Sequence, residues 1–327
     1  MSFSKLKKVE LHLHLEGAAP PAFIRSLAKE KNMSIDGVFD ENGAYSYTDF
    51  WDFLKVYEAA TACLKTPEDY ARLTSAVLEN CAEHGVVYAE TFLAPDFCGG
   101  GDVVAWREYL HAMQEAADKA EKDSGIILRG IPTVVRHFGP DAAKKSAKCA
   151  VETAGDWVVG FGMGGDEKFG TPSDFAYAFD MAREAGLKIT SHAGEWSGPE
   201  EIRATIQDLK AVRIGHGVRA IEDAALVREI VEKDIVLEVC PGSNIALGVY
   251  ADWASHPIQK LRDAGVKVTV STDDPPFFHT TMTDEYEMLS RTFGWDDDTF
   301  RALNIGAAEA AFCTDATRAQ ILKKLEA

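Results

Sequence analysis

Short apolar runs rich in β-branched residues recur along the chain, and longer stretches of helical periodicity separate them. The runs that read as strands are 9–14 (VELHLH), 86–93 (VVYAETFL), 127–135 (ILRGIPTVV), 158–163 (VVGFGM), 188–192 (KITSH), 213–216 (RIGH), 236–240 (VLEVC) and 267–272 (KVTVST). Helical periodicity covers 103–122, 141–154, 173–185, 199–210, 222–233 and 257–264. Several boundaries are chemically marked. Thr171-Pro172-Ser173 puts a proline in a first helical turn, and Gly186 stops that helix just before the next strand. Ser197-Gly198-Pro199-Glu200-Glu201 opens the following helix with carboxylates at its positive end. Strand followed by helix, with eight strands in all, predicts an α/β fold: a closed parallel (β/α)8 barrel of TIM type. An open, doubly wound sheet fits less well, because no G-x-G-x-x-G follows the first strand.

Two regions exceed a minimal barrel. Residues 20–84 hold about three helices' worth of chain between the first and second strands, and residues 283–325 extend the helices beyond the last strand. Without a linker, repeat or low-complexity tract, residues 1–327 read as a single domain with a helical cap inserted at about 20–84. Within that insertion, Phe50-Trp51-Asp52-Phe53-Leu54 is either ordinary helix core or part of a lid that keeps water from the barrel mouth.

Composition narrows the partners. The 327 residues are 46% hydrophobic and 26% charged, ample for a core, and the net charge of −18 lacks the basic footprint that nucleic acid requires. Six cysteines, at 63, 81, 98, 149, 240 and 313, include no C-x-x-C pair and read as reduced thiols, pointing to a cytoplasmic protein. Neither an apolar leader nor a run of eighteen apolar residues is present, so no membrane partner is expected.

The chemistry concentrates where a barrel of this kind keeps its active site, at the C-terminal ends of the strands. His12 and His14 share one face of the first strand, while Leu11, Leu13 and Leu15 share the other. Strand four runs into Gly164-Gly165-Asp166-Glu167, strand five into Ser191-His192-Ala193-Gly194-Glu195, strand six into Gly215-His216-Gly217, and strand eight into Ser271-Thr272-Asp273-Asp274-Pro275. Four of the nine histidines fall at these ends, beside adjacent aspartates. Zinc takes nitrogen and oxygen ligands, and a catalytic zinc keeps a position open for water. His12, His14, His192 and Asp273 would supply the ligands; Glu195 would donate or accept a proton, and His216 and Asp274 would orient the nucleophile or take its proton. A second metal would want a bridging lysine at the end of strand four. That position is Gly164-Gly165, so one zinc per subunit is expected. The paired glycines would also let their backbone approach a flat ligand such as a purine ring at Gly165.

The runs HLHLEGA, GGDE, SHAGE, RIGHG, EVCPGSN and STDDP, in this order, closely resemble adenosine deaminases of the amidohydrolase superfamily, over essentially the whole chain. The resemblance implies zinc on His12, His14, His192 and Asp273, with Glu195 protonating purine N1. It implies that His216 positions and deprotonates the water, that Asp274 bonds the attacking hydroxide and the N7 side, and that the Gly165 N–H meets N3. His14 and Glu16 would face the substrate, and Phe50, Trp51 and Leu54 would form a hydrophobic gate. The implied reaction is deamination of adenosine and 2′-deoxyadenosine, a small purine nucleoside being the partner and the oligomeric state left open. The alternatives are adenine or a 5′-modified adenosine as substrate, or an inactive nucleoside-binding scaffold.

Departures from the family pattern bear on the substrate. Many adenosine deaminases carry Asp where this chain has Glu16, and adenine deaminases tend to carry Glu there. Adenine-type relatives usually show Asp before the strand-six histidine and a Ser-rich strand-four turn; Gly215 and Gly-Asp-Glu here favour adenosine. Strand two reads Glu90-Thr91-Phe92 where an Arg is common, a change expected to bear on packing or oligomer contacts. The H-x-E with P-C-x-x-C signature of cytidine deaminases is absent.

Overall fold

The structure, a computed structural model, describes residues 3–326. Eight strands form its frame: β1 (Lys8–His14), β2 (Val86–Leu93), β3 (Ile127–Val135), β4 (Gly160–Gly164), β5 (Lys188–Ala193), β6 (Arg213–His216), β7 (Val236–Val239) and β8 (Lys267–Val270). Each is parallel to the next, in sequence order. The seam between first and last strands is closed just past β8. There the Asp273 N–H donates to the His12 carbonyl (3.1 Å) and the His14 N–H to the Asp273 carbonyl (3.0 Å). The expected barrel is present.

Alternation along β1 sorts its side chains. Val9 and Leu11 pack outward against Ala307, Ala308 and Ile321, while Glu10 and His12 are buried on the inner face. Full burial of each such aliphatic side chain contributes roughly 1.5–3 kcal/mol. The helices in chain order are α1 (Pro21–Glu30), α2 (Phe50–Thr61), α3 (Pro67–Glu83), α4 (Val103–Ser124), α5 (Pro140–Val151), α6 (Pro172–Glu184), α7 (Pro199–Ala204), α8 (Ala224–Glu232), α9 (Pro241–Ala246), α10 (Ile258–Asp263), α11 (Pro275–Phe278), α12 (Met282–Phe293), α13 (Asp297–Ala310) and α14 (Asp315–Glu326). The insertion after β1 holds α1–α3. Asp49 caps α2 by accepting from the Asp52 N–H, and Thr66 with Asp69 forms a capping box on α3.

Most boundaries shift by one to three residues from the sequence pattern, and three of the differences have a clear local reason. β4 starts at Gly160, because Val158 pairs separately with Gly130. β8 stops at Val270, since the Thr272 N–H turns to the buried Glu10 carboxyl (3.1 Å). The helix expected over 199–210 is α7 followed by a π-turn over Thr205–Leu209, which ends at Lys210 in the left-handed region (φ 58°). All six cysteines are free, and among the described residues no helix is long and apolar enough to cross a membrane.

Candidate active site

The C-terminal mouth of the barrel gathers the strand-end residues into one buried cluster. His12 and His14 come from β1, His192 from β5, His216 from the end of β6, and Asp273 and Asp274 from just past β8. Ligand atoms of His12, His14, His192 and Asp273 all lie within 4.8 Å of one another. Asp273 Oδ1 is 3.3 Å from His12 Nε2 and 3.2 Å from His14 Nε2, and His14 Nε2 is 3.1 Å from His192 Nε2.

Partners behind the rings fix what faces inward. His12 Nδ1 donates to Glu238 Oε2 (2.9 Å), and His192 Nδ1 donates to the Met163 carbonyl (2.8 Å). Each of these rings therefore turns its Nε2 to the centre, where a bound cation would take the lone pair in place of a proton. His12 Nε2 and Asp273 Oδ1 are buried without a hydrogen-bond partner. Converging lone pairs and a carboxylate oxygen, in a mixed nitrogen and oxygen donor set, fit a divalent cation. A second trio, His216, Cys240 and Asp273, shares Asp273 and so overlaps the same centre.

Glu195 and His216 stand alongside. His216 Nε2 is 3.7 Å from both Glu195 Oε2 and Asp273 Oδ2. The Asn244 amide Nδ2 lies 3.2 Å from Glu195 Oε1 and 3.3 Å from His216 Nδ1, and His256 Nε2 holds its carbonyl oxygen at 3.1 Å. Ser243 Oγ donates to Asp273 Oδ2 (2.7 Å).

The charge balance separates acids from bases. Burial, with Asp273 and Glu167 nearby, pushes the Glu195 carboxyl well above the usual range, which favours its protonated form. Burial together with Asp273, Glu195 and Glu16 pushes Asp274 up in the same way. Asp273 goes the other way: burial opposes its charge, but His12, His14 and His216 outweigh it. Burial pulls His216 down to about 3. On His12, burial is outweighed by Asp273 and Glu238, which raise it to about 9.

Above the cluster is a small cavity of about 90 Å³, lined in part by His14, Glu16, Gly165, Glu195, His216 and Asp274. Gly165 lines this cavity with φ +99°, and a Cβ there would come within 2.9 Å of His137 Nδ1, so the turn itself requires a glycine. Glu16 is buried, takes hydrogen bonds from the Tyr70 hydroxyl (3.2 Å) and the Tyr57 hydroxyl (3.5 Å), and is pushed up to about 7 by burial. From α2, Phe50 and Leu54 reach the cavity with Phe53 and Tyr57. Trp51, expected beside them, does not: it is 48% exposed, because one residue along a helix turns its side chain off the face shared by 50, 53, 54 and 57.

Several residues of this cluster escaped sequence reasoning. Glu238, Ser243 and Asn244 hydrogen-bond to His12, Asp273 and Glu195 in turn, His256 hydrogen-bonds to Asn244, and the carboxylate of Glu167 accepts from the loop that carries Glu195. Phe92 lies against the His12 and His14 rings at centroid distances of 4.7 and 4.8 Å. Glu90, Thr91 and Phe92 are all buried in the barrel, so this part of strand two bears on packing.

Three imidazoles and an aspartate at the mouth of a parallel barrel, with a buried glutamate and a fourth imidazole beside them, define a metal-dependent hydrolase barrel of the amidohydrolase type. A family model described as adenosine deaminase matches residues 7–327. The chain therefore belongs to the adenosine deaminase family, in the branch that holds both adenosine and adenine deaminases. It is 47% identical over 324 residues to an adenine deaminase of Rhizobium rhizogenes, covering 98% of this chain and 99% of that protein. Further relatives at 40–45% identity carry the same name. Among solved structures, an adenine deaminase from Arthrobacter aurescens is 29% identical with a TM-score of 0.90, covering 98% of both chains. An amidohydrolase from Burkholderia ambifaria, solved with bound zinc, is 25% identical with a TM-score of 0.85, covering 99% of this chain and 92% of that one.

These likenesses overturn the expectation of adenosine and 2′-deoxyadenosine as substrates. The structure shows why one of its supports fails. A Cβ at position 215 would lie 2.8 Å from His12 Cε1 and 3.2 Å from the His192 Cα, so Gly215 reports ring packing beneath the ligands and says nothing about a sugar.

Proposed function

We propose that this protein catalyses the hydrolytic deamination of free adenine to hypoxanthine and ammonia, with one zinc ion per subunit and the helices of residues 20–84 as its cap. The observation that carries the choice of adenine is Glu16. Its buried carboxyl, one methylene longer than aspartate and backed by the Tyr57 and Tyr70 hydroxyls, stands in a small cavity. Free adenine has an N9–H to donate to such an acceptor, whereas a nucleoside carries a sugar at that nitrogen. The names of the relatives support the same reading.

His12, His14, His192 and Asp273 would hold the zinc. When bound, the ion would make a water ionisable near neutral pH and so supply a nucleophile. The protein's own groups do the rest. The Gly165 N–H meets N3 and fixes the ring. Glu195 passes its proton to N1, which draws electron density from C6. His216 takes the proton of the attacking water, and Asp274 orients that water and the N7 edge. The water oxygen bonds to C6 as the N1–C6 double bond gives way to N1–H. The C6–N6 bond then breaks, the amino group taking the proton held by His216 and leaving as ammonia, while the hydroxyl proton returns to Glu195 and the 6-oxo ring is left.

The test is an ultraviolet assay on adenine, adenosine and methylthioadenosine, with metal analysis of the same sample. A higher kcat/KM on adenine is expected; a higher value on adenosine overturns the reading. Glu195→Gln should retain metal and purine binding but lose most turnover, while His12→Ala should lose metal. Full activity in Glu195→Gln would refute the assigned mechanism.

A further inference from the structure

Glu167 closes the Gly164-Gly165-Asp166-Glu167 run after β4, yet its side chain does not face the cavity. It is 3% exposed and turned toward the loop after β5. There one carboxylate accepts four consecutive backbone N–H groups: Gly194 (3.2 Å), Trp196 (3.3 Å) and Ser197 (2.7 Å) on Oε2, and Glu195 (3.0 Å) on Oε1. The carbonyls of the same loop are held from the other side. Ala193 O accepts from the Gly217 N–H (3.1 Å), Gly194 O from the Arg219 N–H (3.0 Å), and Trp196 O from the Arg219 guanidinium (2.6 Å). Asp166, its neighbour, instead accepts from the Lys168 N–H at the rim.

We propose that Glu167 is a positioning residue for the reaction: it acts as a clamp that holds the Glu195 backbone so that the Glu195 carboxyl meets the purine. The physical case is the loop's lack of any regular secondary structure between β5 and α7. No strand or helix ladder takes these four N–H groups, and buried N–H groups must find acceptors. A single carboxylate meets that need and fixes the orientation of the loop at once, since charge-assisted hydrogen bonds are short and strong. Gly165 lies two residues before Glu167, so the turn that places an N–H against the ring also places the clamp on the acid. Seating of the substrate and aim of the proton donor are thereby mechanically linked. A displacement of about 1 Å at a reacting group is enough to lower turnover about a hundredfold.

This inference rests on the deaminase reading, and its test separates the two. Wild type, Glu167→Gln and Glu167→Asp are compared for adenine turnover, bound metal, and amide hydrogen exchange at residues 194–197. Glu167→Gln keeps the shape but presents an NH₂ to donors. It should lose kcat about a hundredfold, keep KM within about threefold and retain its metal. Exchange at 194–197 should quicken about tenfold or more while the strands are unchanged. Glu167→Asp should recover part of kcat and of the protection, and it carries the test alone if the Gln variant does not fold. Unchanged exchange at 194–197 overturns the clamp. Quickened exchange with kcat within about threefold of wild type overturns its link to Glu195, and joint loss of metal and turnover in both variants shows a general structural role instead. Failure of wild type to act on any aminopurine defeats the deaminase reading, and the exchange data still decide the clamp.

Discussion

Glu238 sits in the middle of a fully buried strand, and three contacts keep its charge there. Arg213 Nε lies 2.6 Å from Oε1, Thr190 Oγ1 donates to the same oxygen (2.9 Å), and His12 Nδ1 donates to Oε2 (2.9 Å). Arg213 in turn binds Glu90 (2.6 Å), so a chain of charges runs from β2 through β6 and β7 to a proposed metal ligand. Burial opposes the Glu238 charge, but Arg213 and His12 outweigh it and hold the carboxyl below its ordinary range. Glu238→Gln should weaken metal binding about 10- to 100-fold, read by competition with a chelator, because His12 loses the negative charge that raises its basicity and its carboxylate partner becomes an amide with only one accepting oxygen. Undiminished affinity would remove Glu238 from the site. The four proposed ligands were legible in the sequence because barrels put chemistry at strand ends, so rare polar residues there stood out. Glu238 was not, because β-periodicity alone cannot say which buried charge meets which ring. Its signal was a charged residue inside the apolar run Val236-Leu237-Glu238-Val239.

Helix α2 and helix α9 reach the site in different ways. Helix α2 offers an apolar face, with Phe50 against Trp196 (centroids 4.9 Å) and Leu54 on the cavity. Phe50→Ala should raise KM for adenine several-fold by opening that side to water, whereas Trp51→Ala should leave kcat/KM within about twofold, as surface changes generally do. A larger effect of Trp51→Ala, measured in the same steady-state assay, would restore it to the gate. The existence of α2 was legible, but its rotation was not: the run FWDFL is apolar on too many sides to show which face is buried. Helix α9 has six residues, too short for periodicity to reveal, yet it delivers Ser243 to Asp273 and Asn244 to Glu195 and His216. Its first turn is held by Glu285 from α12, which accepts from the Gly242 N–H (3.0 Å) and from Thr280 Oγ1 (2.7 Å).

At the scale of the whole molecule, buried acids make stability depend on pH. Burial pushes Glu285 up to about 8 against 4.5 unperturbed. The native state therefore holds a proton that the unfolded chain has released between those values. The stabilising effect of that proton is full below about pH 4.5 and is lost as pH rises through about 8. The loss should be on the order of a few kcal/mol. Glu285→Gln, which cannot ionise, should flatten the fall in denaturation midpoint across that window; an unchanged slope would place the titration elsewhere. Removing a bound metal should lower Tm, because the proposed ligands come from β1, β5 and the segment past β8, and binding energy across them is folding energy. A chelator-treated sample with unaltered Tm would contradict this. The overall barrel was legible because strand and helix alternate with distinct periods. Its seam was not, since Asp273 closes it with its backbone while its side chain joins the imidazole cluster.

That seam also sets a timetable. The backbone of Asp273 joins β1 to the far end of the barrel, between two of the proposed ligands. A chain made from its N-terminus exposes His12 and His14 early, but the ring has no last stave until residue 273 has left the ribosome. The early imidazoles therefore have no complete cage to offer during most of translation. Cation capture becomes a late event, and a chain truncated before the Thr272-Asp273-Asp274 segment would end as an open sheet with three of the four proposed ligands.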